Sequence, residues 1–407
     1  MKKPLIVILA GGKGTSFGPI ITNKTLVPFL GKPILQHTIE MAESAGFNNA
    51  LIITNQENEA WLSTYQPFNI TLRTKIVAPT GMGDAIIQAQ NEIGEDPIIV
   101  INSCDIINSS YLKEFYQFAK DTYSCVTGLE ISNYFPGGYL KTKDVLAIDI
   151  IEKPGAGNEP SNLLNLVIHY FSNPKEFIYT LKNEETSDSQ YENALKKLMT
   201  QSKVSIAKYK GPWSKLKYSF HILDVMATLL NMKVKNHIAR SAKISHLASI
   251  EGPVYIDEGA KIDSFTVIKG PSYIGKNVRI GNHCLVRESV IEKNSIVGFG
   301  SEVARSYIGP NCMLHHNYVG DTVLEGNINP SWGTTFANRR IDNKPITMHL
   351  KDKKIATNKQ KFGAVVSQGA FFGVNCSVMP GTTIEQNAKI LPNLTVSGKQ
   401  EAISGKQ

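Results

Sequence analysis

The chain is poor in cysteine. Cys104, Cys125, Cys284, Cys312 and Cys376 are scattered through 407 residues, odd in number and without a CxxC pair. Such a set argues against a disulfide framework or a zinc knuckle and predicts reduced thiols in a cytoplasmic protein. Long apolar runs are missing too: none approaches the roughly 20 residues a membrane span needs. Leu5 to Ala10, after Lys2-Lys3-Pro4, has the outline of a signal peptide, but it is six residues long and runs into Gly11-Gly12. That predicts a first strand entering a loop, not a leader.

Acidic charge is also short, with 35 Asp and Glu against 43 Lys and Arg, and the imbalance is local. Arg339, Arg340, Lys344, Lys351, Lys353, Lys354, Lys359 and Lys361 face only Asp342 and Asp352, leaving six of the net +8 charges near 339–361. No aromatic residue is interleaved among them for base stacking, which argues against a nucleic-acid partner. A small phosphorylated ligand, or solvation of a protruding loop, accounts for the patch with less. A hydrophobic fraction of 42% supplies ordinary cores, and the length exceeds what one core usually holds, so two domains are expected.

What the chain has in abundance is a period. An apolar residue returns every sixth position at Ile244, Ile250, Ile256, Ile262, Ile268, Ile274, Ile280 and Val286. The step drops to five at Ile291, resumes through Val297 and Val303, drops again at Ile308, and returns from Val366 through Phe372, Val378, Ile384, Ile390 and Val396. A period of six is neither the 3.6 of a helix nor the 2 of an ordinary strand. It is the mark of a parallel β-helix, each short strand and turn adding one flat side to a coil. Gly and Asn often follow the apolar position, as in Ile274-Gly-Lys-Asn and Ile308-Gly-Pro-Asn, where a sharp corner favours tolerance of positive φ.

The first half alternates differently. Leu5 to Ala10, Ala50 to Thr54 and Pro97 to Asn102 read as strands; Ile34 to Ala45, Asp84 to Ile93 and Ile222 to Met232 read as helices. This spacing predicts right-handed crossovers and a parallel sheet with its ligand at the strand carboxyl ends. The boundary is expected near Lys235, giving domains 1–235 and 236–407.

At the end of the first strand stands Leu9-Ala-Gly-Gly-Lys-Gly-Thr-Ser-Phe-Gly-Pro19, followed by Asn23-Lys-Thr-Leu-Val-Pro-Phe-Leu-Gly-Lys-Pro33. Glycines let backbone N–H groups approach a triphosphate, and a lysine neutralises charge developing on phosphorus. With Gly81-Met-Gly-Asp-Ala-Ile86, Ser103-Cys-Asp105 and Glu152-Lys-Pro154, this half resembles the sugar-1-phosphate nucleotidyltransferases, which implies a Rossmann-like α/β domain. The resemblance implies that Gly11, Gly12, Gly14 and Gly81 hold the nucleotide, Lys24 contacts the reacting phosphates, Asp105 binds Mg²⁺, and Glu152 and Asn165 touch the sugar. The chain departs from that pattern at several positions. Ser16 stands where an arginine is usual, Asn23 replaces a proline, and Met82, Cys104 and Val167 replace a threonine and two glycines. Lys215 falls where the late Trp-x-Asp-x-Gly block carries its second metal-binding carboxylate. An ammonium there removes a ligand and adds repulsion.

The second half carries His315-His-Asn-Tyr318-Val-Gly-Asp321, then Asn329, Gly333-Thr-Thr-Phe-Ala-Asn338 and Lys344. Taken singly, a histidine or asparagine at a coil corner is solvent-facing or structural. In this order and spacing they resemble the acetyltransferase half of the bifunctional enzyme that makes UDP-N-acetylglucosamine, and its archaeal relatives. The resemblance implies a left-handed β-helix of hexapeptide repeats in which His315 takes a proton from a sugar amine attacking acetyl-CoA. A group titrating near neutrality suits that work. Tyr318, Asn329, Asn338 and Lys344 then bind sugar or steady the transition state. Arg287 and Arg305, 18 residues apart and about three coils by this reading, stack on one face and clamp the 1-phosphate. Trp332 stands where a small residue usually precedes Gly-Thr and is expected to crowd the pantetheine channel.

Three functions remain open on the sequence. One is a bifunctional enzyme that N-acetylates glucosamine or galactosamine 1-phosphate and then transfers a nucleotidyl group from UTP or dTTP, releasing pyrophosphate. Another is an acetyltransferase whose first domain binds nucleotide without turnover; the last is a non-catalytic regulatory or scaffolding homologue. A three-sided coil with sites between neighbouring prisms implies a homotrimer.

Overall fold

The structure is a computed structural model, and it describes residues 3–12, 14–350 and 353–400. Lys13 of the glycine-rich loop, and Lys351 and Asp352 of the basic stretch, lie outside the described residues. The chain forms two compact units, one of Met1–Lys13 with Ile34–Trp213, the other of Gly14–Pro33 with Ser214–Gln407. By packing, residues 14–33 and the helix His221–Lys233 therefore group with the later unit.

The first unit is built on a nine-stranded sheet. From one edge it runs Thr71–Ile76, Asn49–Thr54, Leu5–Ala10, Ile98–Asn102, Leu163–Phe171, Ser124–Glu130, Val204–Tyr209, Leu146–Glu152 and Gly138–Lys143. The first four are parallel, and Leu163–Phe171 opposes both of its neighbours. Three of the parallel strands, Leu5–Ala10, Asn49–Thr54 and Ile98–Asn102, read as apolar runs because both sheet faces are covered there: Ile6, Val7 and Ile8 are 0% exposed, and they feed two separate cores, whereas the edge strand Thr71–Ile76 is largely exposed. Leu9 pairs with Ile53 and with Asn102, so the carboxyl ends of three strands lie side by side. Gly11 and the Ser103–Asp105 turn follow directly from those ends, and Ser103 N–H donates to the Leu9 carbonyl at 3.1 Å. The helix expected over 84–93 is instead two helices, Met82–Gln88 and Gln90–Ile93, interrupted at Ala89, whose φ of −102° leaves the helical range.

In the second unit the chain visits three parallel sheets in turn. Lys243–Ile244 pairs with Lys261–Ile262, Ser249–Glu251 with Val267–Lys269, and Val254–Ile256 with Ser272–Ile274, so eighteen residues complete one turn. Every hexad position from Ile256 to Ile308 is buried in one core, joined by Val366, Phe372, Val378, Ile384, Ile390 and Val396. The period is thus the core. The interruption is shorter than the spacing suggested: Leu314, Val319, Leu324 and Phe336 continue the buried column, and Val366 pairs directly with Leu324. What leaves the coil is an antiparallel hairpin of Ile346–Leu350 and Lys353–Lys359. It is no merely solvated loop, because Ile346 and Met348 are buried and Lys359 pairs with Asp224 of the helix His221–Lys233.

A column of acids also runs along this unit. Asp257, Glu292 and Glu325 each follow a strand of one sheet, Val254–Ile256, Val290–Ile291 and Val323–Leu324. Burial pushes the Glu292 carboxyl up to about 7, against the opposing pull of the Gly31 and Leu30 amides. Between its ordinary value of 4.5 and about 7, the native state keeps a proton that the unfolded chain releases. The stability this lends is complete below the lower value and is lost as pH rises through the upper one. A shift of this size corresponds to about 3 kcal/mol. The melting temperature should therefore fall between about pH 5 and pH 7.5, and Glu292→Gln should flatten that slope when both proteins are melted across the range.

Candidate active sites

In the first unit, Gly11 is buried beside Thr54 and Pro79, with ordinary room for a Cβ, and Gly12 is exposed. Gly81 has a packing reason of its own: a Cβ would come within 2.9 Å of the Ser187 carbonyl oxygen. Asp105 is 3% exposed, and its Oδ1 accepts a hydrogen bond of 2.9 Å from Trp213 Nε1. Glu152 lies 3.1 Å from Lys153, which also reaches Asp188 at 2.9 Å. Burial opposes the Lys153 charge, but the hydrogen bond to Asp188 and the field of Glu152 outweigh it and hold the ammonium firmly protonated. Asn165 is buried opposite Gly128.

Sequence reasoning missed what supports Asn165. The ring of His169 bridges Asn165 Oδ1 at 3.0 Å and Tyr191 Oη at 2.7 Å, all within the sheet's buried interior. The four-residue spacing on an apolar strand was the available signal, because a buried histidine must find partners on both nitrogens.

The resemblance implies Mg²⁺ beside the nucleotide. Among the described residues, no group of three or more His, Cys, Asp or Glu gathers as a metal site. The one carboxylate, Asp105, fits a Mg²⁺ held chiefly by substrate phosphates and water, and does not amount to a protein cage.

In the second unit, Gly14 adopts the left-handed φ of +62°. Lys24 opens a short turn, Lys24–Leu26, capped by Asn23 Oδ1 accepting from Thr25 N–H at 3.0 Å. Ser16 Oγ donates to the Lys217 carbonyl at 3.1 Å, so the residue in the usual arginine position does structural work.

His315 is exposed at a coil corner. Its N–H donates to Asn317 Oδ1 at 2.5 Å, and Asn317, 2% exposed, donates in turn to the Ser331 and Thr334 carbonyls at 3.0 Å each. Asn317 therefore fixes the corner from inside and leaves the imidazole outside. His316 has another occupation. Its ring lies 5.1 Å from the Trp332 ring at 9°, and Phe299, His283 and Phe265 continue the contact down the same edge. Trp332, 57% exposed, is thus stacked on an outer edge.

Beyond the corner, four residues meet. Arg305 binds Asp321 through two hydrogen bonds of 2.7 Å, and Asn338 Nδ2 donates to Asp321 at 2.5 Å. A Cβ on Gly320 would meet Asn338 Nδ2 at 2.6 Å and Tyr318 Oη at 2.7 Å, so only glycine allows this approach. Asn329 stands on a different sheet, aligned with Phe371, its Oδ1 buried without a protein hydrogen bond. Lys344 is exposed in the segment before the hairpin and joins none of these groups.

The arginine clamp needs correction. Eighteen residues make one turn, not three, and Arg287 aligns with Ala304 while Arg305 sits one position on, at the corner. Each guanidinium is already engaged, Arg287 with Glu302 at 2.8 Å and Arg305 with Asp321. The signal was present in the separations of 15 and 16 residues, each just short of a turn.

The nucleotidyl transferase family model matches residues 5–216, and that of the GMPPB C-terminal domain matches residues 250–356. The bifunctional protein GlmU of Methanocaldococcus jannaschii is 34% identical over 394 residues, covering 94% of this chain and 92% of that one. The chain belongs to the GlmU family of bifunctional enzymes. Another member, the bifunctional sugar-1-phosphate nucleotidylyltransferase/acetyltransferase of Sulfurisphaera tokodaii, is 30% identical with 96% of each chain covered. Apo-UDP-glucose pyrophosphorylase matches 57% of this chain and 99% of its own, with a TM-score of 0.50 at 18% identity. That last likeness concerns fold alone, and it agrees with the α/β sheet. Membership in the GlmU family accounts for both halves of the chain and for their order. Among the described residues no helix is long and apolar enough to cross a membrane, and all five cysteines are buried and free.

Proposed function

We propose that this GlmU-family protein makes a nucleotide sugar by two reactions. Its later half, 236–407, is a left-handed β-helix that acetylates the amine of glucosamine 1-phosphate or galactosamine 1-phosphate with acetyl-CoA. Its earlier half, 1–235, joins the N-acetyl sugar 1-phosphate to UTP or dTTP and releases pyrophosphate. The observation that carries the reading is the group of Tyr318, Asn338, Asp321 and Arg305 beside the corner that exposes His315.

His315 accepts the proton that the neutral amine loses as its nitrogen attacks the thioester carbonyl, and returns it to the departing sulfur as the C–S bond breaks, so CoA leaves as the thiol. Tyr318, Asn338 and Asn329 offer hydrogen bonds to sugar hydroxyls. Arg305 shares its fork with Asp321 and Arg287 shares its own with Glu302, so contact with the 1-phosphate falls to their remaining N–H groups, and Lys344 binds the sugar or steadies the transition state. In the earlier half, backbone N–H groups about Gly11, Gly12, Gly14 and Gly81 and the Lys24 ammonium carry the phosphates, with Glu152 and Asn165 on the sugar. Asp105 would hold Mg²⁺, which supplies charge neutralisation on the phosphates.

Lys215 favours a second reading, in which the earlier half binds nucleotide and does not turn it over. One substrate panel separates the two: purified protein, each amino-sugar 1-phosphate, acetyl-CoA, and each nucleoside triphosphate, with free thiol and pyrophosphate both measured. Thiol without pyrophosphate selects the second reading; neither product rejects both. We further propose a soluble cytoplasmic homotrimer. The aromatic edge, on which Phe265, Phe299 and Trp332 are 53%, 61% and 57% exposed, supports a neighbouring copy, and a monomeric mass by light scattering at micromolar concentration would rule it out.

A further inference from the structure

The segment that carries Lys24 is fastened to the coil at both ends by buried carboxylates. Glu325, 7% exposed, accepts at Oε1 from Ile21 N–H (3.1 Å), Thr22 N–H (2.7 Å) and Thr22 Oγ1 (2.7 Å). Its Oε2 accepts from Ser367 Oγ and Gln368 N–H, both at 2.9 Å. At the far end Gly31 N–H donates to both oxygens of Glu292, at 3.2 and 3.3 Å, from a turn where Leu30 and Gly31 have positive φ. Tyr307 Oη donates to the Pro28 carbonyl at 2.8 Å, and its ring packs against Phe29, with ring centres 5.6 Å apart.

A carboxylate removed from water is expensive unless hydrogen bonds replace its hydration, and an apolar residue would have served the coil's packing without that cost. Five donors on Glu325 meet the requirement. Three of them belong to the Lys24 segment, so the carboxylate is satisfied only while that segment is seated. Thr22 is followed by Asn23, whose side chain caps the turn that Lys24 opens, so little freedom separates the fastening from the lysine backbone.

We infer that Glu325 and Glu292 are positioning residues for Lys24: the coil holds the lysine in the place from which it meets nucleotide phosphates. The inference rests on the reading of Lys24 as a phosphate contact. Glu325 also lies four residues after Asp321 and four before Asn329, so one turn of the coil serves both proposed reactions.

The test is a double-mutant cycle on full-length protein, with Mg²⁺–UTP and Mg²⁺–dTTP affinities measured by calorimetry. Glu325→Gln keeps the shape but puts an amide where three donors converge. It should weaken binding of the accepted nucleotide about tenfold or more, as expected for losing hydrogen bonds to a charged group. In a Lys24→Ala background the same change should cost less than about twofold, because a residue that acts through Lys24 has nothing left to position. Thr22→Val, which removes one donor and no charge, should act in the same direction by a smaller factor, and it decides the matter if Glu325→Gln does not fold. An equal loss in both backgrounds, or no loss from either variant, overturns the inference. Failure of the wild type to bind either nucleotide overturns it too, together with the nucleotide reading, and is told apart because the unmodified protein itself fails.

Discussion

Replacing His315 with alanine should lower CoA release by a factor of about 10² to 10⁴, the usual loss when a positioned general base is removed. The imidazole sits on an exposed corner, and Asn317 holds that corner through its own side chain. His315→Ala should therefore fold as the wild type does, and the loss should appear in kcat with a smaller change in KM for the sugar. His316→Ala provides the contrast: it removes the ring on which Trp332 lies and a contact to the Phe299 carbonyl, and leaves the corner itself intact. Its rate should stay within a few-fold of wild type. Trp332→Ala separates the stacking role from a channel role, because acetyl-CoA should bind more tightly only if the indole crowds the pantetheine. Single-turnover thiol release measures all three. Wild-type turnover by His315→Ala would end the proposed mechanism while leaving the fold untouched.

The later unit was legible in the sequence because its period and its core are the same set of atoms. Ile256, Ile274, Ile291 and Ile308 are read from spacing and found stacked, each on the next. Reading stopped at Ile308 because the following steps mix five and six and put Pro330 in an apolar position, although the coil continues to Phe336. Pairing across turns was harder to see. Asp321 belonged to a quoted motif and Arg305 to a supposed phosphate clamp, and neither label says that the two bind each other. The seating of residues 14–33 was out of reach altogether: its chief fastening joins Thr22 to Glu325, 303 residues away, and no local pattern announces it. In the earlier unit, three strands, Leu5–Ala10, Asn49–Thr54 and Ile98–Asn102, followed from their apolar runs, and the other six of the sheet did not. The break at Ala89 did not follow either, since alanine is the best helix former and nothing local marks a stop there.

The second large effect is expected at Asp105. Asp105→Asn removes the charge but leaves an oxygen to accept from Trp213, so the local structure should persist. Pyrophosphate release should fall by at least about 10² to 10³, the scale of losing one group that stabilises developing charge, while CoA release is unchanged. The residual rate should also lose its response to added Mg²⁺, a result that a merely destabilised protein would not give. Lys215 makes the companion experiment informative. If the wild type is slow, its ammonium at the position of the second carboxylate is the first cause to test, because one charge of the wrong sign both repels a divalent cation and leaves it a ligand short. Lys215→Asp should then raise the Mg²⁺-dependent rate, and adding Asp105→Asn tests whether that gain depends on Asp105. Equal gains in both backgrounds would mean that position 215 acts through general electrostatics, and no gain in either would remove the Trp213-Ser-Lys215 block from the nucleotide site.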